Sequence, residues 1–515
     1  MEEQTTMSMP PHMTITRRAF LASSTALALT RPALATAATG VGTRFNRDTV
    51  IMLAQGMAAH PYAPRPKVPQ DWQDLTYEQY KSIWFRHDAA LWRGTDASYN
   101  VDFFHPGLYF PQAIHIDTVE GGTATPVPFD LSAFDRTDKV PALTEDSAMG
   151  YSGFRLRTEL SDPAHKNEFC VFQGASYFRA IGLDQTYGLS ARGLALKTGD
   201  PMGEEFPDFT RFWLERPGPG QRNMIVHALL DSPSVTGAYR FDITPGVNCV
   251  MDVSATLFAR TELGHIGLGP LTSMFLFDST DRTRFDDFRP AVHDSNGLLM
   301  QNGAGEVLWR ALANPTHLQV SSFVDEAPRG FGLMQRARNL SDFADLEALY
   351  HRRPGVWVEP KGDWGKGAVT LVEIPADQEI YDNIVAYWRP KTPLAAGQRL
   401  DLDYRLTWGA DVPVQTGLPQ VINTSIGAKH SGGRIVAIDF DQHHLLNGVP
   451  EAFEMRISSP HAKTSDGVLQ RNPETGGLRL AFSFEPGERK MVELRAQLRR
   501  DGAAASEVWL YRWTA

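Results

Sequence analysis

Three stretches of the chain concentrate side chains able to donate, accept or move a proton. The first, Val292-His293-Asp294-Ser295-Asn296-Gly297, sets an imidazole, a carboxylate, a hydroxyl and an amide side by side. The second, Trp357-Val358-Glu359-Pro360-Lys361-Gly362-Asp363-Trp364-Gly365-Lys366-Gly367, alternates charges with glycines between two tryptophans. The third is Glu379-Ile380-Tyr381-Asp382-Asn383-Ile384-Val385. Each taken alone also reads as a turn, with Asp or Asn folding its side chain onto the backbone. Their setting says more. Trp357, Trp364, Trp388 and Trp408 fall close together, interleaved with Glu359, Asp363, Glu373, Glu379 and Asp382. Aromatic rings stack on the apolar faces of pyranose units and carboxylates hydrogen-bond their hydroxyls, so the group points to a sugar. Any single tryptophan of the set reads first as core.

The elements that must carry these loops are strands. After short helices expected at residues 50–59 and 77–85, runs of alternating character recur at 154–157, 239–243, 250–259 and 368–374. Gly, Pro, Asn and Asp interrupt them at short intervals, the pattern of an antiparallel all-β architecture and not of βαβ units. One helical island is expected at 342–350, capped by Ser341 and stopped before Pro354. Prolines at 390 and 393 suggest a stiff connector. Beyond it, alternation at 399–406, 477–484, 491–498 and 508–513 suggests a small sandwich of immunoglobulin type. The expected organisation is a leader at 1–37, a β-sandwich domain at 38–389, a linker at 390–397 and an immunoglobulin-like domain at 398–515.

The N-terminus carries an export signal. Thr16-Arg17-Arg18-Ala19-Phe20-Leu21 is a twin-arginine element, followed by a short apolar run and by Ala33-Leu34-Ala35 and Ala35-Thr36-Ala37, both A-x-A cleavage sites. The run is shorter than the about 20 apolar residues that span a bilayer, and no later segment reaches that length. The mature chain is therefore expected not to span a membrane and to be exported already folded, to the periplasm. A formal net charge of −10 argues against a nucleic-acid partner and suits a neutral substrate. Cys170 and Cys249, the two cysteines, could pair in an oxidising compartment or stay as buried thiols. Neither has metal-ligand spacing, so no metal is expected, and no cofactor either: Gly264-His265-Ile266-Gly267-Leu268-Gly269 lacks the spacing of a phosphate-binding loop.

The motifs His293-Asp294-Ser295-Asn296-Gly297, Arg353-Pro354, Trp357 to Gly365 and Asp382-Asn383-Ile384-Val385 closely resemble the periplasmic glucan biosynthesis family of OpgG/OpgD, or MdoG, type. The likeness runs from about Phe45 to the C-terminus, and the twin-arginine leader looks like the D branch. The resemblance implies a large sandwich like that of galactose mutarotase, followed by a small immunoglobulin-like domain. It implies action on osmoregulated periplasmic glucan with a β-1,2-linked glucose backbone, by an anomer-inverting β-1,2-glucanase or a transglycosylase. It also implies Asp382 as general acid and Asp294 as general base, two carboxylates placed on opposite faces of one acetal. Tyr350, Glu379 and Asn383 are the expected sugar-holding residues, and Trp364 the expected stacking platform. Asn296 stands where many relatives carry aspartate. Two readings stay open at this point, an enzyme on β-1,2-glucan and a non-catalytic glucan-binding scaffold, as does the choice between a single chain and a homodimer.

Overall fold

The computed structural model describes residues 42–146, 149–160, 165–411, 414 and 416–515. The leader, its arginines and both cleavage sites lie outside them. The alternating runs form strands close to where they stand: Gly153–Thr158, Val235–Thr244, Cys249–Ala259, Lys366–Glu373, Arg399–Gly409, Leu478–Glu485, Met491–Arg500 and Val508–Thr514. Alternate side chains of a strand point to opposite faces, so each run buries one row and exposes the other. The fold is all-β.

Two large sheets make the main sandwich. A ten-stranded sheet runs, in order, through Gln319–Glu326, Lys366–Glu373, Ile384–Pro390, Ile266–Ser273, Ser190–Arg192, Tyr177–Ala180, Asn167–Gln173, Gly153–Thr158 and Asn100–Phe104, with Ala195–Leu196 paired beside Ile266–Ser273 as the tenth. A sixteen-stranded sheet faces it. Between them Phe172 and Phe178 of the smaller sheet meet Phe212, Phe241 and Trp408 of the larger, at ring-centroid separations from 5.1 to 5.9 Å. Full burial of a large apolar side chain contributes about 1.5–3 kcal/mol. Trp357, Trp388 and Trp408 are all buried, so three of the four clustered tryptophans are core. Cys170 and Cys249 are free thiols buried in the same core.

Arg399–Gly409, expected to open a second domain after a linker at 390–397, lies inside the larger sheet, between Cys249–Ala259 and Gly355–Lys361. Residues 391–397 carry the chain from one sheet of the sandwich to the other, with Leu263 and Leu394 bridged on the way. Alternation reports that one face of a strand is buried and is silent about which neighbour buries it. The smaller C-terminal layer begins at Val421–Ala428, which pairs with Arg434–Phe440 and, through it, with Leu478–Glu485. Its Phe440 and Phe482 share a core with Trp309, Met334, Trp357 and Trp509 of the larger sheet.

The first expected helix is longer than the sequence suggested, at 12 residues, and the other two are shorter. The first spans Arg47–Ala58, capped by Asn46 and Thr49 in a reciprocal box. The second expected helix stops at Tyr80, because Ile83–Phe85, β-branched and aromatic, pairs as a strand with Phe134–Arg136. The island at 342–350 is one turn, Leu340–Phe343, which starts after Asn339 and not at Ser341. It ends on Ala344 at φ 55°, and a 3-10 turn follows at Tyr350–Arg352 after Leu349 at φ 50°. This irregular segment, not a helix, delivers Tyr350 and Arg353 to the site.

Candidate active site

Met274 and Phe275, just past the strand Ile266–Ser273, anchor both loops that carry the aspartates. Val292–His293 pairs with Phe275–Phe277, and the Asp294 N–H donates to the Met274 carbonyl at 2.8 Å. Asn383 reaches the next residue along. Its side-chain carbonyl accepts the Phe275 N–H at 2.8 Å, and its amide NH₂ donates to the carbonyls of Phe275 at 2.9 Å and Ile374 at 3.1 Å. The loops that carry Asp294 and Asp382 are thus fastened to consecutive residues of one segment, Asp294 by its own N–H and Asp382 through its neighbour Asn383, although they are far apart in sequence. Removing the Asn383 amide strips those three bonds, each worth about 0.5–1.5 kcal/mol, from a buried position.

The two carboxylates meet different surroundings. Asp294 is 4% exposed and accepts a hydrogen bond from Arg353 Nη1. Burial pushes its pKa up to about 6 against the pull of Arg353, and the Asp382 charge pushes the same way. Asp382 is more open, with 31% of its side chain exposed and Arg179 Nη2 at 3.6 Å. Behind Asp294, His293 is buried between Phe275 and Phe343, which drives its pKa down to about 3 and keeps it neutral.

A chain of charged and polar contacts holds the surrounding loops. The Arg353 guanidinium lies 4.2 Å over the Tyr350 ring and also donates to the Ala348 carbonyl. The Tyr350 hydroxyl donates to Glu379 Oε2 at 3.0 Å. Arg289 pairs with that same oxygen and with Asp345 Oδ2, each at 2.8 Å. Arg179, Arg289 and Arg353 thus emerge as site residues; of these the Arg353-Pro354 motif alone was visible in the sequence, because charge pairing across loops leaves no local pattern.

The expected sugar-holding residues divide. Glu379 stands at the surface beside Asp382, with 39% of its side chain exposed. Tyr350 is 2% exposed, with its hydroxyl committed to Glu379, so it positions that carboxylate. Asn383 is buried with both amide atoms bonded to backbone, where it clamps the start of the strand Ile384–Pro390. Trp364 is elsewhere. It sits at the far end of the strand Ile384–Pro390, beside the pairing of Gly367 with Pro390, packed edge-on to Tyr404 at 6.0 Å and half-buried against the core. The seven residues of that strand, at about 3.3 Å each, separate it from Asp382. Asn296 accepts the Arg336 N–H at 3.1 Å and serves as a turn tie. Among the described residues no group of three or more His, Cys, Asp or Glu side chains could hold a metal ion, and no helix is long and apolar enough to cross a membrane.

A model of the family described as periplasmic glucan biosynthesis protein, MdoG, matches residues 45–513. A Vibrio cholerae serotype O1 protein named glucans biosynthesis protein G is 48% identical over 477 residues, covering 91% of this chain and 87% of its own length. One of that name from Shewanella frigidimarina is 46% identical over 476 residues, covering 91% of this chain and 85% of its own. Glucans biosynthesis protein G 1 of Shewanella oneidensis is 46% identical, with 91% and 87% covered. All three bear the G name, whereas the leader suggested the D branch.

Proposed function

The chain belongs to the MdoG family of periplasmic glucan biosynthesis proteins, and from that premise we propose that it cleaves or transfers β-1,2-linked glucan with inversion at the anomeric carbon. The twin-arginine leader fits export of the folded chain to that compartment. The observation that carries the reading is the shared anchor: Asp294 is bonded to Met274, Asn383, the residue after Asp382, is bonded to the adjacent Phe275, and the charge of Asp382 acts on Asp294.

In this reading Asp382 protonates the leaving glycosidic oxygen as the bond to the anomeric carbon breaks. A water, or the hydroxyl of an acceptor sugar, attacks from the opposite face and gives its proton to Asp294. A base with a pKa near 6 is ionised at neutral pH and strong enough to take that proton. Asp382 faces solvent beside Arg179, so a glucan laid over it can bring a glycosidic oxygen within reach of the carboxyl. Glu379, fixed by Tyr350 and Arg289, holds a hydroxyl of the sugar at the cleavage point.

Incubation of the purified mature chain with linear β-1,2-glucan tests this. Long chains are expected to shorten or redistribute, and NMR at early times is expected to show the α-anomer first. Unchanged chains with measurable binding would indicate a non-catalytic scaffold, and an initial β-anomer would exclude inversion.

A further inference from the structure

A cavity of about 150 Å³ opens at the turn joining Asn167–Gln173 to Tyr177–Ala180, and neither aspartate lines it. Tyr109, Gln112, Gln173 and Tyr177 line it, together with Arg65 and Asp208, which pair at 3.0 Å. We propose that this cavity is a remote subsite for a neutral glucose unit of the same chain that reacts at Asp382 and Asp294, an inference that rests on the glucan reading above.

The turn that presents Tyr109 is built for display. Gly107 and Phe110 exchange both backbone hydrogen bonds, at 2.9 and 2.8 Å, and the Leu108 N–H donates to the Trp72 carbonyl at 3.0 Å. Leu108 sits at φ 45°, a left-handed conformation that costs a branched side chain on the order of 1 kcal/mol or more. Gly107 has φ 110°, and a Cβ there would lie 2.6 Å from the Trp72 carbonyl oxygen. Yet the ring at the tip, Tyr109, is 69% exposed. A strained, doubly bonded turn that holds an aromatic ring out in water gains nothing in folding from that ring. Its use lies in what stacks on it.

The polar groups around the ring suit a sugar and not an ion. Arg65 is compensated by Asp208, so no net charge draws an anionic substituent. Gln173 donates to Ser152 Oγ at 3.0 Å and Gln112 to the Arg65 carbonyl at 3.3 Å, and the carbonyl oxygen of each side chain has no partner among the described residues. Those oxygens and the two phenols offer hydroxyl-sized acceptors and donors next to an apolar ring face. The cavity also adjoins the reactive cleft. Tyr177 and Arg179 are alternate residues on one face of a strand, about 7 Å apart, and Arg179 pairs with Asp382.

Calorimetric titration of Asp382→Asn, which binds without turning over, with long linear β-1,2-glucan supplies the test. Adding Tyr109→Ala is expected to weaken binding roughly five- to tenfold, the value of one aromatic stack. Tyr109→Phe, which keeps the ring, is expected to retain the parent affinity. Equal affinity for Tyr109→Ala and its parent overturns the subsite while the glucan reading stands. A parent that binds no glucan overturns both. Thermal melts check that the surface substitution leaves the fold intact.

Discussion

Asp382→Asn is expected to fold as the parent chain does and to lose glucan turnover by on the order of 10²–10⁴-fold, the usual contribution of a positioned general acid. Both halves of that expectation come from the site. The side chain is 31% exposed and makes one ion pair, with Arg179 at 3.6 Å. Partly exposed pairs of this kind contribute about 0–1 kcal/mol, so the melting temperature should move little. The amide is nearly isosteric with the carboxyl and can still accept a hydrogen bond from Arg179, but it has no acidic proton to give the leaving oxygen. Chain-length analysis of linear glucan after incubation, set beside a thermal melt, reads both quantities. A folded variant that shortens glucan at the parent rate would remove Asp382 from the chemistry.

The pH dependence should be carried by Asp294. Burial holds its pKa near 6, and a base acts only when ionised. Since kcat/KM reports the free enzyme, it should fall on the acid side with a midpoint near pH 6, approaching tenfold per pH unit below that point. The stability linkage runs in the opposite sense. The folded pKa lies above the ordinary value of 3.8, so any stabilisation from the neutral form is complete below that value and is lost as pH rises through about 6. Activity should therefore be lost on acidification before this group does anything to weaken the fold. A kcat/KM that stays level through pH 6, or rises as the pH drops, would mean that Asp294 works as the proton holder and not as the base.

The strands were legible because alternation is a local property. The runs at 154–157, 239–243, 250–259 and 491–498 sit inside observed strands, since one buried face imposes a period of two on any sequence. The order of the strands is not local. Nothing in Arg399–Gly409 marks Cys249–Ala259 as its partner, so a strand of the larger sheet was read as the start of a new domain. The same division runs through the site. The motifs around Asp294 and Asp382 stand out as clusters of reactive side chains, and the fold brings them to one anchor. The fate of neighbours depended on packing that spacing does not encode. Asn383 spends its amide on Phe275 and Ile374, and Trp364 turns inward toward Tyr404. Arg179 and Arg289 became visible with the fold, because their partners come from distant loops.

A crystal structure of the Asp382→Asn chain bound to a β-1,2-linked oligosaccharide would measure the arrangement itself. The expected map places one glycosidic oxygen about 2.6–3.2 Å from the side chain at position 382. It places a water on the opposite face of the anomeric carbon, held by Asp294, with the two acid groups roughly 6.5–9.5 Å apart. An oligosaccharide seated with its glycosidic bonds out of reach of either group, or Asp294 sealed off from the sugar by Arg353 in the bound state, would contradict cleavage at this site.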